Sequence, residues 1–125
     1  MKVLLVDDSV TIRSLQKKTF AQLGHSDAME AADGVEALKQ IGETRPDLVM
    51  IDWNMPNMDG ITLVRKIRET DKTLPLIMCT TEVDKSKVLE AIEAGVNNYL
   101  VKPFTTETLK EKVEATMAKV GAGVS

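Results

Sequence analysis

Five times the chain sets a short apolar run against a following segment of helical period, and this alternation limits its fold more than any other feature. The runs lie at residues 2–6, 27–30, 48–51, 75–79 and 98–101. The run Leu48-Val49-Met50-Ile51 has no polar break, as expected of a strand buried on both faces. Pro56 and Asp59-Gly60 then forbid the strand to continue and open a helix with Ile61, Val64 and Ile67 inward and Arg65, Lys66, Arg68 and Glu69 outside. The first helix starts at Ser9 as N-cap, carries Ile12, Leu15, Thr19 and Leu23 near helical spacing, and stops at Gly24. The second opens at Asp33-Gly34 with Val35, Leu38 and Ile41 inward. The fourth turns Leu89 and Ile92 to the core and ends at Gly95. The last places Leu109, Val113, Met117 and Val120 inward and runs out at Gly121, so residues 121–125 are expected to fray. Parallel strands need long crossovers, and right-handed helical crossovers put helices on both faces of the sheet. The expected architecture is a single α/β domain over residues 1–125, an open, doubly wound parallel sheet of five strands with five helices.

A chain of 125 residues with 43% hydrophobic and 28% charged content can bury one continuous core. A net charge of −3 argues against a nucleic-acid surface, so the expected partners are proteins. The first apolar run is too short for a signal peptide and no run approaches membrane-spanning length, which makes the cytoplasm the expected location. The single cysteine, Cys79, sits in an apolar run and reads as an inert buried thiol. His25 follows a helix end with no second histidine to share a metal, and reads as a loop residue.

Ligands of doubly wound sheets bind beyond the carboxyl ends of the strands. Asp7 and Asp8 end the first strand, Asp52 the third, Thr80 the fourth and Lys102 the fifth, so all five groups fall on one edge. An adjacent carboxylate pair at about 4 Å costs on the order of 4 kcal/mol at an effective dielectric near 20, and a divalent cation removes that cost. Oxygen-only ligands select a hard ion, and a few carboxylates plus waters suit magnesium. The structural alternative is a set of solvated acids paired with Lys102. With the cation bound, Asp52 can act as a nucleophile toward a phosphoryl group, Lys102 can offset charge on its oxygens and Thr80 can donate to one of them. The product, an acyl phosphate, is open to in-line attack by water, which suits a timer better than a metabolic enzyme.

Asp7-Asp8, Asp52, Thr80 and Lys102-Pro103, with the run Asp52-Trp53-Asn54-Met55-Pro56-Asn57-Met58-Asp59-Gly60, resemble the receiver domains of two-component response regulators, and among them the chemotaxis regulators. The resemblance covers essentially the whole chain. It implies a flavodoxin-like strand order of 2-1-3-4-5, with Asp52 as phosphoacceptor for a phosphohistidine on a sensor histidine kinase. It also implies magnesium bound by Asp8, Asp52 and the backbone carbonyl of Asn54, with Asp7 acting mainly through water, and a cis Lys102-Pro103 bond. Thr80 and Tyr99 would form the switch: Thr80 moves toward the phosphoryl group, draws the loop with it through Glu82, and Tyr99 turns inward from an exposed orientation. The partner face would then include Lys85, Val88, Tyr99, Val101 and Lys112, with Lys85 and Val88 on the solvent side of the fourth helix. The implied partners are the kinase, a phosphatase and an output protein, the flagellar motor switch, met by a monomer without nucleic acid or membrane. Such a domain catalyses its own phosphorylation and dephosphorylation without being a turnover enzyme. Thr81 is bulkier than the small residue common after the switch threonine, and the tail Gly-Ala-Gly-Val-Ser also departs from the pattern.

A haloacid-dehalogenase-like phosphohydrolase also uses an aspartate after a buried strand, but needs a second aspartate two residues on, where this chain has Asn54. A flavodoxin-like cofactor carrier would have to welcome phosphate at its first loop, where Asp7-Asp8 repels it. A phosphorylation-independent module would normally lack one of the five groups. A stand-alone receiver in a phosphorelay or another non-motility pathway fits the same residues as a chemotaxis regulator.

Overall fold

A computed structural model of the chain describes residues 1–124, with side chains described through Val120. Strands and helices alternate without exception: β1 (Val3–Val6), α1 (Val10–Gln22), β2 (Ala28–Ala31), α2 (Gly34–Glu43), β3 (Leu48–Ile51), α3 (Gly60–Thr70), β4 (Leu76–Thr80), α4 (Lys85–Ala94), β5 (Asn98–Val101) and α5 (Thr106–Val124). The sheet is parallel throughout, in the order β2-β1-β3-β4-β5. Strands β1, β3 and β4 are buried at every position, as their unbroken apolar runs require. The edge strands β2 and β5 are only partly covered.

Each face of the sheet carries its own core. Helices α2, α3 and α4 close one face over Leu4, Val6, Val49, Ile51, Leu76 and Met78, contributing Ala37, Ile61, Leu63, Val64, Ile67 and Ala91. Helices α1 and α5 close the other over Val3, Leu5, Leu48, Met50, Ile77, Cys79 and Leu100, with Phe20, Leu109 and Val113. Four helices start on a side-chain cap that accepts from a first-turn N–H: Ser9, Asp33, Asp59 and Asp84. These caps satisfy helix donors next to the strand ends and fix where each loop stops.

The structure departs from the periodicity at four side chains. Leu15, Val35, Leu89 and Ile92 face outward, at 50%, 54%, 48% and 53% exposure. Helix α1 instead buries Gln16, Thr19 and Phe20, α2 buries Gly34 and Ala37, and α4 buries Ala91. In α2 and α4 the buried small residues let the helix approach its neighbours closely and leave larger apolar side chains beside the contact line, whereas α1 packs through Phe20. Val88 is half-buried in consequence, not on the solvent side of α4. Helix α5 continues through Val124, past the end expected at Gly121. The expected fraying of residues 121–125 falls on side chains, and on Ser125 as a whole, outside the described residues.

Candidate functional site

The strand order reverses at β1, flanked by β2 and β3, and the carboxyl ends of β1, β3, β4 and β5 gather the five predicted side chains. Asp7 is buried while Asp8 is exposed, as alternation along an extended chain dictates. The Asp7 carboxylate accepts the Ser9 N–H at 2.9 Å through Oδ1 and the Lys102 ammonium at 2.5 Å through Oδ2. Lys102 Nζ also lies 3.4 Å from Asp52 Oδ2, so one cation bridges two acids. Asp52 is 8% exposed and its backbone N–H donates to the Val6 carbonyl at 2.9 Å, which ties the end of β3 to that of β1. Thr80 is fully buried, and the N–H of Glu82 donates to its hydroxyl oxygen at 3.4 Å. The Lys102-Pro103 peptide is cis, as the resemblance implies.

Burial pushes the Asp52 carboxyl above its ordinary range, and the charge of Asp7 adds to the rise; the Lys102 ammonium and the Thr80 hydroxyl oppose it. Burial works against the Lys102 ammonium too, yet the hydrogen bond to Asp7 and the charges of Asp52 and Asp7 outweigh it and raise its pKa. The pocket thus stores an excess of negative charge around a single fixed cation. Carboxylate oxygens of Asp7, Asp8 and Asp52 lie within 4.8 Å of one another, and these three form the candidate metal cluster found among the described residues. An all-oxygen donor set on one rim fits a hard divalent cation.

Residues 3–114 match the family model of the response regulator receiver domain. The chain belongs to the response regulator receiver domains. Such domains are regulators rather than turnover enzymes. The chain is 49% identical over 120 residues to the chemotaxis protein CheY1 of Helicobacter pylori, covering 94% of this chain and 97% of that protein. It is 43% identical over 122 residues to the chemotaxis protein CheY of Pseudomonas aeruginosa, covering 96% and 98%. Among solved structures, the chemotaxis protein CheY4 of Vibrio cholerae superposes with a TM-score of 0.86 at 38% identity over 92% of this chain and 97% of that one. The Borrelia burgdorferi CheX-CheY complex with BeF3 and Mg2+ gives 0.90 at 31% identity over 94% and 89%.

Of the remaining predicted residues of this receiver domain, Tyr99 and Asn54 bond Glu82 in the loop after β4, beside the pocket. Tyr99 is half-buried and its hydroxyl donates to the Glu82 backbone carbonyl at 2.8 Å, so the ring already points inward rather than out. Asn54 donates through its side chain to Glu82 Oε1 at 3.1 Å, spanning the loops after β3 and β4. Lys85 and Val101 are exposed, and Val88 and Lys112 are half-buried. Burial raises the Cys79 thiol to about 12, in keeping with an inert core residue. His25 is half-buried, with Nδ1 3.3 Å from the N-terminal amine.

Three contributors escape sequence reasoning. The Arg13 guanidinium donates to the Asp7 backbone carbonyl and to Glu30 at 3.1 Å, holding the acidic loop against β2; nothing in helical periodicity singles out that arginine. Gly60 looks like an ordinary helix start, yet a Cβ there would overlap the Asp52 carbonyl. The loop after β3 folds back so closely that Gly60 N–H donates to the Trp53 carbonyl at 2.8 Å. The ammonium of Lys87 lies over the Trp53 ring, which is 5% exposed.

Proposed function

We propose that this receiver domain is a phosphorylation-switched regulator of chemotaxis type, with Asp52 as its phosphoacceptor. The observation that supports this reading best is the convergence of Asp7, Asp8 and Asp52 within 4.8 Å beside one bridging lysine. Asp8, Asp52 and the backbone carbonyl of Asn54 would hold magnesium, with Asp7 acting through water, and the bound ion supplies positive charge to the phosphoryl oxygens. A carboxylate oxygen of Asp52 attacks phosphorus on a kinase phosphohistidine: the O–P bond forms, the P–N bond breaks and its electron pair returns to the imidazole. Lys102 stabilises charge on the transferring group, and Thr80 donates its hydroxyl to a phosphoryl oxygen. Water then attacks the acyl phosphate in line and regenerates Asp52, so the domain catalyses its own reset.

A hydrogen bond to a charged oxygen is worth about 1.5–3 kcal/mol, which shifts a two-state population roughly ten- to a hundredfold. Thr80 would transmit that energy through Glu82 to Tyr99 and on to the face formed by α4, β5 and α5. Lys85, Val88, Tyr99, Val101 and Lys112 serve there as contact residues for an output protein, the flagellar motor switch. The names of the chemotaxis relatives support that output and a kinase of the chemotaxis type. The Borrelia complex supports a further partner, a phosphatase, that engages the loaded domain. The domain acts as a cytoplasmic monomer in this reading; no described helix is long and apolar enough to cross a membrane.

Incubation of the purified chain with acetyl phosphate and magnesium, followed by prompt mass measurement, tests the proposal. A phosphoryl mass gain mapping to residue 52, absent in Asp52→Asn, is expected. No gain under conditions that label an established receiver domain would overturn it.

A further inference from the structure

Helix α4 starts at the Asp84 cap, whose carboxylate accepts from the Ser86 N–H, and two lysines follow at once. Its first turn carries Lys85 and Lys87 and no acid, although the positive end of a helix dipole disfavours cations there. Lys85 is exposed and keeps its hydration. Lys87 is half-buried, pairs with no carboxylate among the described residues, and places its ammonium 4.7 Å from the centroid of the Trp53 ring. That distance is within the range of a cation–π contact, and tryptophan offers the strongest ring face for one. Trp53 directly follows Asp52 and packs into the core at 5% exposure, so burial holds its ring in place beside the phosphoacceptor loop.

We infer that Lys87 is a positioning residue that ties the start of α4 to the phosphoacceptor loop through Trp53, and so favours the inward arrangement of the loop after β4. Three contacts converge on that loop and its helix: Tyr99 hydroxyl to the Glu82 carbonyl at 2.8 Å, Asn54 to the Glu82 carboxylate at 3.1 Å, and Lys87 over Trp53. The first two bind Glu82, and only the third grips the helix beyond it. A contact present in one arrangement and weakened in the other biases the equilibrium between them. By reciprocity it changes affinity at the phosphoryl site by the same factor. The inference rests on the proposed role of Asp52, since the affinity it alters is for a phosphoryl group there.

The test compares wild type, Lys87→Met and Lys87→Arg by two measurements. Calorimetric titration with beryllofluoride in magnesium reads affinity at the phosphoryl site. Acrylamide quenching of the single tryptophan, without either ion, reads how well the ring is covered. A partly desolvated cation–π contact corresponds to an affinity change on the order of three- to tenfold. The expected result is that Lys87→Met binds beryllofluoride three- to tenfold more weakly and exposes Trp53 to quenching, while Lys87→Arg, which keeps a cation over the ring, matches wild type on both. Wild-type affinity in Lys87→Met would overturn the inference, and so would equal losses in the two variants, because a general structural role does not distinguish arginine from methionine. If wild type itself takes up no beryllofluoride, the role proposed for Asp52 fails and the coupling inferred from it falls too; the quenching comparison then judges the Lys87–Trp53 contact alone.

Discussion

Replacing Asp52 by asparagine should stabilise the metal-free protein at neutral pH, although it removes the proposed phosphoacceptor. Asp52 shares a space no more than 4.8 Å across with the oxygens of Asp7 and Asp8, which amounts to about 3.5 kcal/mol of repulsion from buried Asp7 at an effective dielectric near 20, while solvent screens exposed Asp8. Lys102 at 3.4 Å returns about 5 kcal/mol of attraction on the same scale. The attraction therefore outweighs the repulsion from Asp7, and burial of the charge, the largest effect, turns the balance against the ionised carboxylate; a burial penalty of several kcal/mol leaves a net cost on the order of 2 kcal/mol. Asparagine has nearly the same shape, and Lys102 keeps its 2.5 Å contact with Asp7.

The expected gain is about 2 kcal/mol, or about 5–10 °C in Tm for a chain of this size. Because the folded-state pKa of Asp52 is raised above its ordinary 3.8, the folded state holds the proton more tightly than the unfolded chain does. Its penalty is therefore full above the raised pKa, shrinks as pH falls through it, and vanishes below 3.8. Magnesium should close the gap at pH 7, since an ion held by the intact carboxylate cluster would stabilise the wild type by mass action. Urea unfolding followed by Trp53 fluorescence, in EDTA and in magnesium from pH 4 to 8, measures all of this. A variant no more stable than wild type in EDTA at pH 7, or a gap indifferent to both pH and magnesium, would refute the reasoning.

Gly60→Ala should destabilise the fold by about 3 kcal/mol, read as a lower urea midpoint, because the added methyl meets the backbone carbonyl of Asp52, which cannot move aside as a flexible side chain can. Cys79 should resist a disulfide reagent at pH 8 in the native protein and react at once in urea, since burial holds its thiol at about 12; rapid native labelling would contradict the core placement. Thr81→Ala should speed loss of the phosphoryl group proposed at Asp52, because exposed Thr81 directly follows Thr80 and its side chain would hinder attacking water there; equal decay rates for the two proteins would refute that role.

The alternation of apolar runs with helical segments determined the number, order and class of the elements, because a strand buried on both faces leaves a compositional mark that needs no knowledge of its neighbours. The same reading placed Asp7, Asp8, Asp52, Thr80 and Lys102 at strand ends, and parallel topology turned those positions into one pocket. The orientation of helices was less legible. In α4, Val88, Leu89, Ala91 and Ile92 are all apolar, so periodicity marks a broad stripe without saying which part meets the sheet; close packing through Ala91 decided it and left Leu89 and Ile92 outside. Contacts between residues far apart in sequence left no local signal at all. Asn54 on Glu82 and Lys87 over Trp53 exist only because separate loops are brought to one rim. The sequence by itself thus determined which chemical groups the chain carries to its carboxyl edge, since strand burial and crossover handedness act locally. Only the tertiary structure decided their spacing, their shared cation and the inward set of Tyr99, because electrostatic coupling and packing depend on distances between segments that no single segment encodes.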